Sequence, residues 1–174
     1  FQGRDVTIQD VFEGVGKFAA GIMTADELKD LEDHACPAAG ACGGQFTANT
    51  MSTAFAALGI SPMGMNDIPA MDPKKDDACV EAGKLVIELL KKNIKPSDII
   101  TKKSLENAIA AVCMTGGSTN SVLHLLAIAH EIGVKLSIDD FDRISRKTPL
   151  LGDLKPGGRF VATDSYRAGG IRLV

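Results

Sequence analysis

The side chains in this sequence best suited to chemistry are its four cysteines and three histidines. Cys36 and Cys42 lie in one unusual stretch, His34-Ala-Cys-Pro-Ala-Ala-Gly-Ala-Cys-Gly-Gly-Gln-Phe-Thr-Ala-Asn-Thr-Met51, with five residues between them. Zinc pairs have tighter spacing and a second pair elsewhere, and a thiol-redox pair is spaced C-x-x-C. Cys79 falls on an apolar helical stripe and Cys113 at a helix end, where free cysteine is an ordinary buried residue. Cys42 differs from the others. Gly40, Ala41, Gly43 and Gly44 leave its sulfur unshielded, and a helix start follows, whose dipole favours thiolate. A thiolate in such a loop suits a metal or an iron–sulfur cluster. His124 sits in an apolar helix and reads as a core histidine, His34 has no metal spacing to a partner, and His130 reads as exposed. Asp139, Asp140 and Asp142 read as a helix cap with surface charge. Neither a Ser-His-Asp pattern nor a P-loop is visible.

The elements that must position these groups are mostly helices. Thr7 and Asp10 mark the start of the first, with Val11, Val15, Phe18, Ala19 and Ile22 at helical spacing. Thr24 and Glu27 form a capping box for a second. A third begins near Thr47, with Met51, Ala54, Phe55 and Leu58 on one side and Gly59 as its stop. Ser61 to Lys75 is an irregular connection. Asp76 to Lys92 forms a helix whose stripe of Cys79, Gly83, Val86 and Leu90 is expected inward. Another starts near Thr101 with Leu105, Ala108, Ile109 and Val112 inward. Met114-Thr-Gly-Gly-Ser-Thr-Asn120 is a glycine loop before a helix from Thr119 to Ile132, apolar nearly all round and so expected to be central. Ser137 and Asp140 open a helix carrying Phe141 and Ile144. Val134–Leu136 and Arg159–Val161 are candidate strands, and Arg167 to Gly170 is a third glycine turn. Two of the three glycine loops open helices. Free N–H groups there suit anions or cluster sulfurs, and a purely structural role accounts for them equally well.

The chain of 174 residues is long enough for one domain. Its formal net charge of -3 provides no basic field, which disfavours nucleic acid as a partner. No apolar run reaches membrane-spanning length, and no signal peptide opens the chain. The four cysteines, without secretory features, suit reduced thiols in a cytoplasmic compartment. The opening on Phe1 and the ending on Val174 read as the cut ends of a fragment.

Four segments together are similar to one family. Cys36-Pro-Ala-Ala-Gly-Ala-Cys-Gly-Gly-Gln-Phe-Thr-Ala-Asn-Thr-Met51 resembles the cluster segment of the dihydroxy-acid dehydratases, and Thr115-Gly-Gly-Ser-Thr-Asn-Ser-Val-Leu-His-Leu125 resembles their second signature. Asp140-Phe-Asp-Arg-Ile-Ser-Arg146 and Tyr166-Arg-Ala-Gly-Gly-Ile171 follow in the family's order, so the resemblance covers nearly the whole chain.

The helical patterns, few strands and short connections predict an α/β fold, a helix-rich fragment of a layered α/β/α domain with a mostly parallel sheet only partly supplied by this chain; the resemblance implies that it is part of the N-terminal cluster-binding domain. It implies a hydro-lyase converting 2,3-dihydroxy acids such as 2,3-dihydroxyisovalerate to 2-oxo acids in valine and isoleucine biosynthesis. The cofactors implied are an iron–sulfur cluster (2Fe-2S or 4Fe-4S) as Lewis acid and Mg2+. Cys42 matches the third cluster cysteine. The other two cysteines, the magnesium ligands, the carbamylated lysine and the catalytic serine correspond to segments outside this chain, so no catalytic residue is assigned within it and the fragment alone is expected to be inactive. The implied partners are the small dihydroxy acid, the rest of the polypeptide and a second copy in a homodimer, in the cytoplasm (or mitochondrion or plastid in a eukaryote). Cys42-Gly-Gly-Gln-Phe looks closer to the branched-chain enzymes than to the 6-phosphogluconate branch. Alternatives are a sugar-acid dehydratase, a non-catalytic binding domain and a thiol-redox protein using Cys36 and Cys42. Without a cluster, the loop from Cys36 to Gly44 is expected to be more mobile than the helix after it. Cys42 is expected to alkylate fastest, with Cys79 and Cys113 slow.

Overall fold

A computed structural model describes residues 1, 3–36 and 38–174; Pro37 of the cysteine segment lies outside the described residues. Its elements are α1 (Ile8–Ala19), α2 (Ala25–Ala35), α3 (Thr47–Leu58), α4 (Lys74–Lys91), α5 (Pro96–Ile99), α6 (Lys102–Met114), α7 (Asn120–Glu131), α8 (Ile138–Ser145) and α9 (Ala162–Ala168), followed by a 3₁₀ turn at Gly170–Leu173.

The helix starts are set where the side chains dictate. The Asp10 carboxylate accepts the Thr7 N–H at 2.8 Å, and Thr24 and Glu27 exchange bonds of 2.8 and 3.2 Å. Each satisfies N–H groups that a helix start leaves unpaired. Gly59, at φ 92, ends α3 in the left-handed region.

The core lies between α3, α6, α7 and α8. Ala54 and Leu58 of α3 meet Leu105, Ala108, Ile109 and Val112 of α6 and Leu125 and Ala129 of α7; Phe141 and Ile144 of α8 close one side. Leu105 and Leu125 are fully buried. The helical stripes read for α3, α6 and α8 therefore face inward as expected. The α1 and α2 helices form a separate pair packed around Gly14, where a Cβ would lie 2.8 Å from Leu31 Cδ2.

Three expectations are corrected. First, the expected sheet is missing: the described residues contain no strand, only an isolated bridge between Leu154 and Phe160. Val134 and Leu136 pack against the helical core from an irregular segment. Arg159–Val161 turns back on residues 153–155 through Phe160 N–H to Asp153 O and Lys155 N–H to Phe160 O, then enters α9. A strand forms only where a neighbour takes up its free N–H and C=O groups over several residues; Arg159–Val161 finds only the single bridge to Leu154, and no bridge to Val134–Leu136 forms among the described residues. Second, α4 buries none of its residues: Cys79 is exposed and Leu90 is 71% exposed. Its apolar stripe is real, but no described helix buries it. Third, α7 buries only the face of Ser121, Leu125 and Ala129, leaving Leu123 69% exposed. It is one wall of the core rather than its centre.

Candidate metal centre

The stretch around Cys42 is a glycine–alanine loop that runs into α3. The N-terminal turn of α3 and the entry to α9 hold it from two sides. Asn49 Nδ2 donates to the carbonyls of Cys42 and Gly44, both at 2.7 Å. Ala162 N–H donates to the Gly43 carbonyl at 2.6 Å, and Gln45 N–H donates to Lys155 O at 2.6 Å. Gly44 is required by space: a Cβ there would lie 2.5 Å from Phe46 Cε2 and 3.0 Å from Lys155 O. A side-chain amide therefore braces the loop.

Cys42 lines an open cavity of ≈ 420 Å³ whose wall includes Ala38 to Gly43, Asn49, Asn66, Asp67 and Lys75. The thiol is half-buried. Burial, the largest influence, pushes its pKa above the usual value; its own N–H opposes that, and nearby Cys36 adds to it. The thiolate expected from the following helix is thus not favoured in the bare loop. α3 begins five residues later, at Thr47, and the effect of a helix dipole fades within one turn. A bound metal cation reverses this preference, because coordination deprotonates a thiol outright.

The second glycine loop lies directly against the first. Buried Gln45 donates through Nε2 to Thr53 Oγ1 and Thr115 Oγ1, both at 3.1 Å. Ser118 N–H donates to Thr50 Oγ1 at 2.9 Å, and Asn120 Nδ2 to Thr47 Oγ1 at 2.7 Å. Gly117 makes this approach possible, since a Cβ there would sit 2.9 Å from Val112 Cγ1 and 3.0 Å from Thr50. The third glycine turn joins as well: Ile171 N–H donates to Asp67 Oδ2 at 2.8 Å, and a Cβ at Gly170 would meet that oxygen at 2.2 Å. The first two loops, which looked independent in the sequence, are bonded to each other, and the third turn is bonded to Asp67 on the wall of the cavity that Cys42 lines. Asn49, Gln45 and Asp67 are the residues that sequence reasoning missed. The signal available for the first two was their place just after Cys42, Gln45 ahead of α3 and Asn49 in its first turn.

The remaining candidates scatter. Cys36 is exposed, and His34 is exposed with Nδ1 2.7 Å from Asp30 O. Cys113 is half-buried, with burial raising its pKa. His124 is half-buried and His130 exposed. Asp140 caps α8 and pairs with Lys102 and Arg143, as a structural carboxylate does. Among the described residues no group of three His, Cys, Asp or Glu side chains is placed to hold a metal ion. Cys42 fits a cluster as one soft donor at the edge of a cavity lined by small residues, leaving the other donors to come from elsewhere.

Comparison with known proteins identifies the family. Residues 2–174 match the family model described as dihydroxy-acid/6-phosphogluconate dehydratase N-terminal. The chain belongs to this dehydratase family. It is 61% identical over all 174 residues to a dihydroxy-acid dehydratase of Koribacter versatilis, covering 30% of that protein. Proteins of the same name from Thermus thermophilus and a Roseiflexus species are 56% and 54% identical over the whole chain, which covers 31% of each. The chain thus spans about three-tenths of the length of these dehydratases.

Proposed function

We propose that the chain is the part of a hydro-lyase that supplies one thiolate ligand, Cys42, to an iron–sulfur cluster. The reaction proposed is removal of water from a 2,3-dihydroxy acid, such as 2,3-dihydroxyisovalerate, to give a 2-oxo acid in branched-chain amino-acid biosynthesis. The observation that carries this reading is a lone cysteine thiol on the wall of an open cavity, within a family of dehydratases.

Bound there, a cluster would supply a Lewis acid that takes up the negative charge of the departing hydroxide. The contribution of this chain is positional. Cys42 is the ligand, Asn49 and Ala162 fix the backbone on either side of it, and the Gln45–Thr115 and Thr50–Ser118 bonds hold its helix against the second loop. No proton-transfer role is assigned to a residue of this chain, nor a magnesium ligand; both belong to the rest of the polypeptide in this reading. The parent is proposed to act as a homodimer in the cytoplasm. Among the described residues no helix is long and apolar enough to cross a membrane.

The test is an assay of 2-oxo acid formation by the full-length protein after cluster reconstitution. We expect turnover of 2,3-dihydroxyisovalerate and little of 6-phosphogluconate. Cys42→Ser should remove most of the activity, because a hydroxyl is a hard and weak ligand for cluster iron. The 174-residue chain alone should form no product. Full activity in Cys42→Ser would overturn the assignment.

A further inference from the structure

Three successive carbonyls around the candidate ligand are turned into the protein. Those of Cys42 and Gly44 accept from Asn49 Nδ2 at 2.7 Å each, and that of Gly43 accepts from Ala162 N–H. Asn49 is the third residue of α3. Side chains there lean toward the helix N-terminus, so a short amide can reach back over the preceding loop. One amide nitrogen carries two hydrogens, enough for two carbonyls. Asn49 also lines the same cavity as Cys42. The flanking residues Gly40, Ala41, Gly43 and Gly44 have little or no side chain with which to hold the loop by packing.

We propose that Asn49 is a positioning residue for the Cys42 ligand: by bridging the carbonyls of residues 42 and 44 it keeps the thiol on the cavity wall. The claim rests on the reading of Cys42 as a cluster ligand, but its geometry concerns the loop itself. Without the bridge, the glycine-rich segment has many backbone states available and samples them. The thiol would then spend time away from the wall, more exposed to reagents and less able to retain iron.

The experiment uses the full-length protein with Asn49→Asp, which keeps the shape but removes both donors, and with Asn49→Ala. In the cluster-free state, a brief iodoacetamide pulse with peptide mapping should show Cys42 alkylated about tenfold faster than in the unsubstituted protein, the size expected from losing two hydrogen bonds. The rate at Cys113, on the neighbouring core helix, should not move. Asn120→Ala removes a bond to Thr47 at the start of the same helix and should leave the Cys42 rate unchanged. After reconstitution, both Asn49 variants should retain less iron through gel filtration and, once reduced by one electron with dithionite, give a broadened electron paramagnetic resonance signal. An unaltered Cys42 rate in Asn49→Asp overturns the proposal, as does an unaltered spectrum and iron content. Parallel acceleration at Cys113 overturns it too, by making Asn49 a residue of the general fold. If Cys42→Ser retained full iron content, the ligand reading would fail instead, while the effect of Asn49 on the thiol would stand.

Discussion

At the scale of single residues, the four thiols separate by environment. Cys36 and Cys79 are exposed, whereas Cys42 and Cys113 are half-buried with pKa values raised by burial. Alkylation needs an accessible thiolate. A short iodoacetamide pulse on the cluster-free chain should therefore label Cys36 and Cys79 ahead of Cys42 and Cys113. This moves Cys36 and Cys79 ahead of Cys42, against the order expected from the sequence, and leaves Cys113 slow as expected; Cys42 appearing first in the peptide map would contradict the loop geometry. Glycines separate in the same way. Gly117 is pressed against Val112 and Thr50, so Gly117→Ala should destabilise by about 1–3 kcal/mol through overpacking. Gly16 lies in α1 with open space where a Cβ would go. Gly16→Ala should stabilise by roughly 0.5–1 kcal/mol from helix propensity alone. Urea unfolding of the two variants tests the contrast.

At the scale of elements, two contacts hold the architecture around the site. Gln45 joins α3 to the loop after α6, and replacing it by Leu leaves the Thr53 and Thr115 hydroxyls without their donor. The cost should be about 1–3 kcal/mol, read from the same unfolding curves. Asp140 joins the start of α8 to α6. The Lys102 ammonium beside it, the Ser137 N–H and Arg143 hold its carboxyl well below the ordinary value of 3.8. A depressed carboxylate pKa means that the folded state favours the charged form. The resulting stability is fully present above the unfolded value and is lost as pH falls through the folded one. Asp140→Asn should cost about 1–2 kcal/mol at neutral pH, allowing for solvent screening at the half-exposed Lys102. The gap between variant and parent should narrow steadily below pH 3.8 in thermal melts. A gap independent of pH would show that the carboxylate charge contributes nothing there.

At the scale of the whole molecule, apolar residues divide into a buried set and an exposed set. Leu105 has no exposed surface, and Leu105→Ala should cost about 2–5 kcal/mol. Leu90 on α4 and Phe12 on α1 are 71% and 70% exposed. Leu90→Gln and Phe12→Gln should change stability by less than about 0.5 kcal/mol in this chain, since neither removes a packed contact. Equal losses at Leu90 and Leu105, measured by urea titration, would show that α4 is docked on the core.

The sequence by itself determined the local features. Capping residues and apolar spacing located the starts of α1, α2, α3 and α8, because these depend on neighbours within one or two helical turns. The inward faces of α3 and α6 and the irregular run from Ala38 to Gly44 ahead of α3 were legible for the same reason. Tertiary structure alone decided which apolar stripes found a partner. The stripe of α6 did and that of α4 did not, although both have helical periodicity. It also decided that Val134–Leu136 and Arg159–Val161 are not strands, since a strand exists only through a neighbour that the segment cannot specify. The joining of the first two glycine loops was likewise invisible. Gln45 and Thr115 are 70 residues apart, and nothing in either segment encodes the other until the packing of α3 on α6 brings them within a hydrogen bond.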